Sequence, residues 1–160
     1  MIYSPVRYSP KFYKDLMEED SSTPYIYDPK YLKFAHWNGF AVGAVCARME
    51  PMEDDPESSK LYIMTINVLA AYRRRGIAST LLKYVLETAG KDKTIKEISL
   101  HVQTSNDEAK AFYLHHGFQD VGIVEGYYKR IEPDSAFYLR KANEFVGDEK
   151  TEEIASEITK

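Results

Sequence analysis

The stretch Leu61-Tyr62-Ile63-Met64-Thr65-Ile66-Asn67-Val68-Leu69, followed by Ala70-Ala71-Tyr72-Arg73-Arg74-Arg75-Gly76-Ile77-Ala78, decides the fold. Its first half is nearly continuous apolar sequence, the pattern of a central strand covered on both faces. Its second half is a short turn carrying three arginines and a glycine. Ile77, Leu81, Leu82, Val85, Leu86 and Ala89 then repeat at the helical period, which predicts a helix ended by Gly90. Beyond it, Ile98, Leu100 and Val102 alternate with Ser99, His101 and Gln103, a strand with one apolar and one polar face. Strand, helix and strand at this spacing make a right-handed crossover with the two strands parallel.

On the N-terminal side, residues 31–37 and 40–49 are aromatic and β-branched runs separated by Asn38-Gly39, a hairpin signal because both turn residues take positive φ. Residues 50–60 are acidic, with two prolines and two serines, and read as an exposed loop. Further out, 10–19 has helical spacing and 21–29 reads as a loop. On the C-terminal side, Ser105 and Glu108 have capping-box spacing ahead of a helix that holds Phe112 and Tyr113 and stops at Gly117. Residues 118–124 and 135–139 are the remaining strands. The expectation is a single α/β domain over residues 1–143, a mixed twisted sheet with flanking helices. Residues 144–160 read as an acidic disordered tail, with Val146, Ile154 and Ile158 marking a weak helix as the alternative.

A chain of 160 residues is one domain's length. A net charge of −4 argues against a general nucleic-acid surface, since phosphate binding needs a basic face. The Arg73-Arg74-Arg75 cluster is therefore a local exception. No apolar run reaches the length of a membrane span, and the start lacks the grammar of a signal peptide, so the expected compartment is the cytoplasm, and the nucleus with it. The single cysteine, Cys46, lies in an apolar run and reads as a core residue in a reducing environment. His115-His116 points its two rings apart on a helix with no other ligand nearby in sequence, which argues against a metal site there.

Arg73-x-x-Gly76-x-Ala78 at a strand-to-helix junction is suited to anions. The first helical turn presents unpaired N–H groups and the positive end of the dipole, and small residues let a diphosphate approach the backbone. The pattern lacks both the Gly-Lys-Ser/Thr ending of a Walker loop and the three glycines of a dinucleotide fingerprint. Alone, it leaves open a helix start with three solvated arginines.

This unit resembles motif A of the GNAT superfamily of N-acetyltransferases, and Ser105-Asn106-Asp107-Glu108-Ala109-Lys110-Ala111-Phe112-Tyr113 resembles its motif B. Leu61-Tyr62-Ile63-Met64-Thr65, Leu100-His101-Val102-Gln103, Val42-Gly43-Ala44-Val45-Cys46 and Tyr127-Tyr128-Lys129-Arg130-Ile131-Glu132-Pro133, with Pro5-Val6-Arg7-Tyr8, look like the San-type protein N-terminal acetyltransferases, the catalytic subunits of NatE.

The resemblance implies a GNAT-type domain whose sheet splays where the two parallel strands receive coenzyme A, with acetyl-CoA as donor. It assigns Ile66, Val68, Arg73, Arg74, Gly76, Ile77, Ala78, Asn106 and Tyr113 to the coenzyme. Tyr62 and His101 match the catalytic pair that acts through ordered water as general base for the substrate's α-amino group. Tyr113 matches the donor to the departing thiolate; from the residues alone it reads equally well as a core aromatic. Pro5, Val6, Tyr8, Met64, Tyr127 and Tyr128 match positions around the substrate's first two residues, implying N-termini that begin with Met and a hydrophobic residue. Family members also associate with the NatA complex at the ribosome.

The sequence departs from the pattern in five places, one of them the region 21–29, which is longer or rewritten. Ser4 stands where the family carries a phenylalanine, Ala78 replaces the second glycine, and Arg75 replaces an apolar residue. Met1 falls almost at the substrate loop, so the family's N-terminal edge strand is expected to be missing. Two other readings stay open. One is a lysine or small-amine acetyltransferase, with Glu53-Asp54-Asp55 as an acidic mouth. The other is a non-catalytic acetyl-CoA-binding subunit of an N-terminal acetyltransferase complex.

Overall fold

The computed structural model describes residues 28–146. The expected helix over 10–19, Ser4, the substrate positions Pro5, Val6 and Tyr8, and most of the tail lie outside them. A 3-10 turn at Pro29–Tyr31 leads into β1 (Leu32–Trp37) and β2 (Phe40–Pro51). Asn38 and Gly39 turn between them with φ of 48° and 83°, as two-residue hairpins require. β3 (Ser59–Val68), the helix α1 (Ile77–Gly90) and β4 (Ile95–Gln103) form the crossover. The helix α2 (Asp107–His115), β5 (Gln119–Val124) and β6 (Ala136–Ala142) complete the domain.

The six strands lie in the order β1-β2-β3-β4-β6-β5, and only β3 and β4 run parallel. Their pairing ends at Tyr62↔Ser99, although β3 runs on to Val68 and β4 to Gln103. Past that point β3 keeps β2 as its neighbour and β4 keeps β6, so the sheet opens as a fork. The core on the α1 side gathers Leu61, Ile63, Leu82, Val85, Ile98 and Leu100, each no more than 3 % exposed. Gly43 on β2 lets α1 lie close, since a Cβ there would come within 3.1 Å of the Asn67 carbonyl and 3.2 Å of Ile77 Cγ2.

One local expectation changes, and two others acquire a reason in the packing. The cap of α2 is Asn106, whose Oδ1 accepts from the Ala109 N–H at 3.2 Å, and not Ser105. An asparagine caps as well as a serine, so the adjacent pair left the frame ambiguous by one residue. Gly90 does not stop α1 by turning left-handed; it is the helix's last residue. A Cβ there would meet Glu144 O and Val146 Cγ2, both at 3.1 Å, so the glycine makes room for the returning chain. The polar face of β4 does not face solvent: Ser99 is fully buried and Gln103 is 8 % exposed. Gln103 Nε2 donates to the Pro133 carbonyl at 2.9 Å, so the loop over this face takes up that amide, whereas the Ser99 hydroxyl is buried without a hydrogen-bond partner.

Candidate active site

The fork places two groups of residues. At its base, Tyr62 on β3 and His101 on β4 face each other, with Tyr62 Oη 2.8 Å from His101 Nδ1. Tyr62 lies in the last β3–β4 pair, opposite Ser99, and His101 is the next residue on the same face of β4, just past the point where the strands part. Tyr127 joins them from the loop between β5 and β6. Its hydroxyl lies 2.7 Å from that of Tyr62, and its ring stacks on His101 with centroids 4.0 Å apart at 13°. Burial pushes the His101 imidazole down to about 4, with the Lys60 cation acting the same way and Glu50 opposing. The ring is therefore neutral at physiological pH, with a lone pair for proton transfer.

Arg48 on β2 lies across the Tyr62 ring, its Cζ 5.1 Å from the centroid. Glu50 holds that guanidinium through Nε and Nη2, both at 2.8 Å, and reaches Lys60 at 3.5 Å. Met64 follows on β3 at an irregularity in the ladder, where Cys46↔Thr65 gives way to Ala47↔Ile63 and Met64 is the extra residue. Such bulges re-aim side chains beside sites.

The second group lies at the open end of the fork. Val68, Tyr72, Arg73, Arg74, Gly76, Ile77, Ala78, Ser79 and Phe112 line a cleft of about 180 Å³. Gly76 begins α1 in the left-handed region at φ 75°, and no side chain caps the helix, so the N–H groups of its first turn remain for an anion. Arg73 Nε donates to the Val68 carbonyl at 3.0 Å, which leaves the terminal nitrogens of its guanidinium to carry charge into the cleft. Arg75 does not join them: it lies over Trp37 and Tyr72, 5.1 and 5.7 Å from the ring centroids. That aromatic support explains why a cation is tolerated there.

Ile66 and Val68 are buried, so what they can offer a ligand is main chain. The Leu69 N–H donates to Val42 on β2, and alternation then turns the main-chain groups of Val68 and Ile66 toward the fork. Tyr113 is 3 % exposed, edge-on to Phe112 and Phe118, and burial raises its phenol far above the ordinary value. Its ring is core; the residue beside it, Phe112, reaches the cleft. Sequence reasoning missed Phe112, Tyr72 and Ser79 in the cleft, and Arg48 and Tyr138 around the Tyr62–His101 pair. Only the strand register, His101↔Tyr138 and Tyr62↔Arg48, would have found the last two. Among the described residues no group of His, Cys, Asp and Glu could hold a metal, and no helix is long and apolar enough to cross a membrane.

The family described as Acetyltransferase (GNAT) matches residues 3–118. N-alpha-acetyltransferase 50 of Danio rerio is 43 % identical over 138 residues, which is 86 % of this chain and 75 % of that protein. The probable N-acetyltransferase san of Drosophila melanogaster is 40 % identical over 86 % of this chain and 68 % of its own length. Among solved structures, Arabidopsis thaliana Naa50 in complex with the bisubstrate analogue CoA-Ac-MVNAL superposes with a TM-score of 0.69. It is 38 % identical, over 86 % of this chain and 83 % of that one.

Proposed function

Because this chain belongs to the GNAT family of acetyltransferases, we propose that it acetylates protein N-termini that begin with Met followed by a hydrophobic residue. The reaction class comes with its relatives: it is an N-terminal acetyltransferase of the Naa50 and San type, with acetyl-CoA as donor. The residues of the cleft fit that donor. A helix start free of side-chain caps, small residues at Gly76 and Ala78, and Arg73 and Arg74 suit a diphosphate, and the main-chain edge of Ile66 and Val68 suits an amide-bearing arm.

The observation that carries the assignment of the catalytic groups is the Tyr62–His101–Tyr127 cluster at the fork. The substrate's α-amino group has an ordinary pKa of about 8 and cannot attack a thioester until it loses a proton. His101, pushed down to about 4, holds no proton at neutral pH and passes one to solvent instead of storing it. Tyr62 orients the ring and the water that bridges to the amine. Attack of the freed nitrogen on the acetyl carbonyl then forms the amide and releases the coenzyme thiolate. The resemblance assigns Tyr113 to hydrogen-bond that sulfur; its ring is buried behind Phe112, which is the residue that lines the cleft.

Met64 at its bulge and the Tyr127-Tyr128 pair support an apolar pocket for the first side chain, a role the resemblance also gives to Pro5, Val6 and Tyr8, which lie outside the described residues. The complex with CoA-Ac-MVNAL, a peptide starting Met-Val, supports the same preference in a relative. A cytoplasmic location, and a nuclear one, fits the buried Cys46, whose thiol burial pushes up to about 11. Docking on a NatA complex at the ribosome rests on the resemblance, and co-purification tests it.

The first experiment compares acetyl transfer to peptides beginning Met-Leu and Ser-Glu, with a polyamine as a third acceptor. Selective transfer to Met-Leu is expected, and equal rates on all three would overturn the proposal.

A further inference from the structure

We infer that Tyr138 is a positioning residue for His101, holding the imidazole from the β6 side of the fork. The inference rests on the reading of His101 as part of the catalytic base. His101 and Tyr138 are registered partners across the antiparallel β4–β6 pair, so both side chains leave the sheet on one face. Their ring centroids are 4.9 Å apart at 38°. Tyr62, on the other flank, is 5.6 Å away at 51°.

Three rings thus hold the imidazole, and they differ in what carries them. Tyr127 stacks most closely, but it comes from a loop, is 37 % exposed, and is assigned to the peptide, so its contact must change when substrate enters. Tyr62 stands in the last β3–β4 pair, opposite Ser99, and β3 has no partner residue opposite His101 itself. Tyr138 alone stands on a strand still hydrogen-bonded to β4 beside His101. It is the support that persists when the fork is occupied.

The ring does this, and the hydroxyl adds little. Tyr138 Oη donates to Glu97 Oε1 at 3.4 Å, a long bond, and Glu97 is shared with Arg140 at 3.9 Å. A general base misplaced by a fraction of an ångström loses much of its effect, so a ring that fixes the imidazole acts on turnover more than on affinity. The same ring excludes water from His101. Of the other titratable groups around the imidazole, Tyr62 and Tyr127 touch the ring and Lys60 and Glu50 act on it through space, while Arg48 on β2 lies over Tyr62, and Glu97 on β4 pairs with Arg140 on β6.

The test compares Y138F, Y138V and H101A in the full chain, reading kcat and KM for a Met-Leu peptide and the titration of the His101 ring by NMR. Y138F is expected to stay within about twofold of wild type. Y138V is expected to lower kcat by about tenfold with the peptide KM nearly unchanged, within the range for a misaligned general base. His101 in Y138V should titrate above about 4, nearer the ordinary histidine value. If Y138V fails to fold, Y138L removes the flat ring while keeping volume and carries the same expectation. Unchanged kcat and unchanged His101 titration in the folded variant would overturn the inference, as would equal losses in Y138F and Y138V. Full activity of H101A would instead overturn the reading of His101 itself, an outcome separable because the NMR titration does not depend on turnover.

Discussion

His101 carries the most specific chemical commitment. A histidine pushed down to about 4 stays neutral across the working range, so the usual inflection near 6.5 should be missing from kcat/KM. The rise with pH should follow the substrate's amine, with an ordinary pKa of about 8. An inflection near 6.5 that vanishes in H101Q would show that the imidazole is solvated and titrates normally. Lys60 gives a second handle: K60M removes a cation that lowers His101, so the ring should titrate higher, by NMR, than in wild type. Tyr62 and His101 were legible in the sequence through family resemblance, and their placement on parallel strands followed from hydrophobic pattern. Their 2.8 Å contact and the Tyr127 stack were not legible, because pattern gives the face a side chain leaves from and not the loop that folds over it.

At the level of elements, the crossover of β3, α1 and β4 was readable because apolar period and length leave little choice, and the Asn38-Gly39 hairpin because its φ values demand those residues. Caps and ends were read less well. Ser105 and Asn106 are both good caps, and Gly90 looks like a stop while serving to admit Glu144 and Val146. Gly43 had no readable role in isolation, yet it sets how closely α1 approaches β2 and hence where the uncapped start of that helix lies. In G43A the new Cβ would stand 3.1 Å from a backbone oxygen and 3.2–3.3 Å from Ile77 and Leu81, and the carbonyl cannot swing aside. The expected cost is about 1–3 kcal/mol of stability, as for overpacked cores. Displacement of α1 should also raise KM for acetyl-CoA more than KM for the peptide. Wild-type stability with an unchanged coenzyme KM would show that α1 can shift without moving the anion site.

The whole molecule is a sheet held together at one end and split at the other, and one end cannot be altered without the other. β3 and β4 each follow a different neighbour past Tyr62↔Ser99, which opens room for a coenzyme arm and draws His101 into a half-buried, uncharged state. The burial that keeps His101 neutral links folding to pH. The folded pKa is below the unfolded value of about 6.5, so between 6.5 and 4 the unfolded chain binds a proton that the folded chain refuses. Stability from this site is therefore present above about 6.5, is lost as pH falls through that window, and stops falling below about 4. A shift of this size is worth at most about 3 kcal/mol, less what solvent reaching the ring removes. Asp55, Asp92 and Asp120 also have lowered pKa values, through hydrogen bonds to Ser58, Thr94 and Lys110 in turn, but they contribute equally to any His101 variant. Denaturant unfolding of wild type and H101Q at pH 7, 5.5 and 4.5 isolates the histidine. The stability difference should move progressively in favour of H101Q as pH falls, and a difference constant across the three pH values would mean that the ring takes up its proton inside the folded domain at no cost.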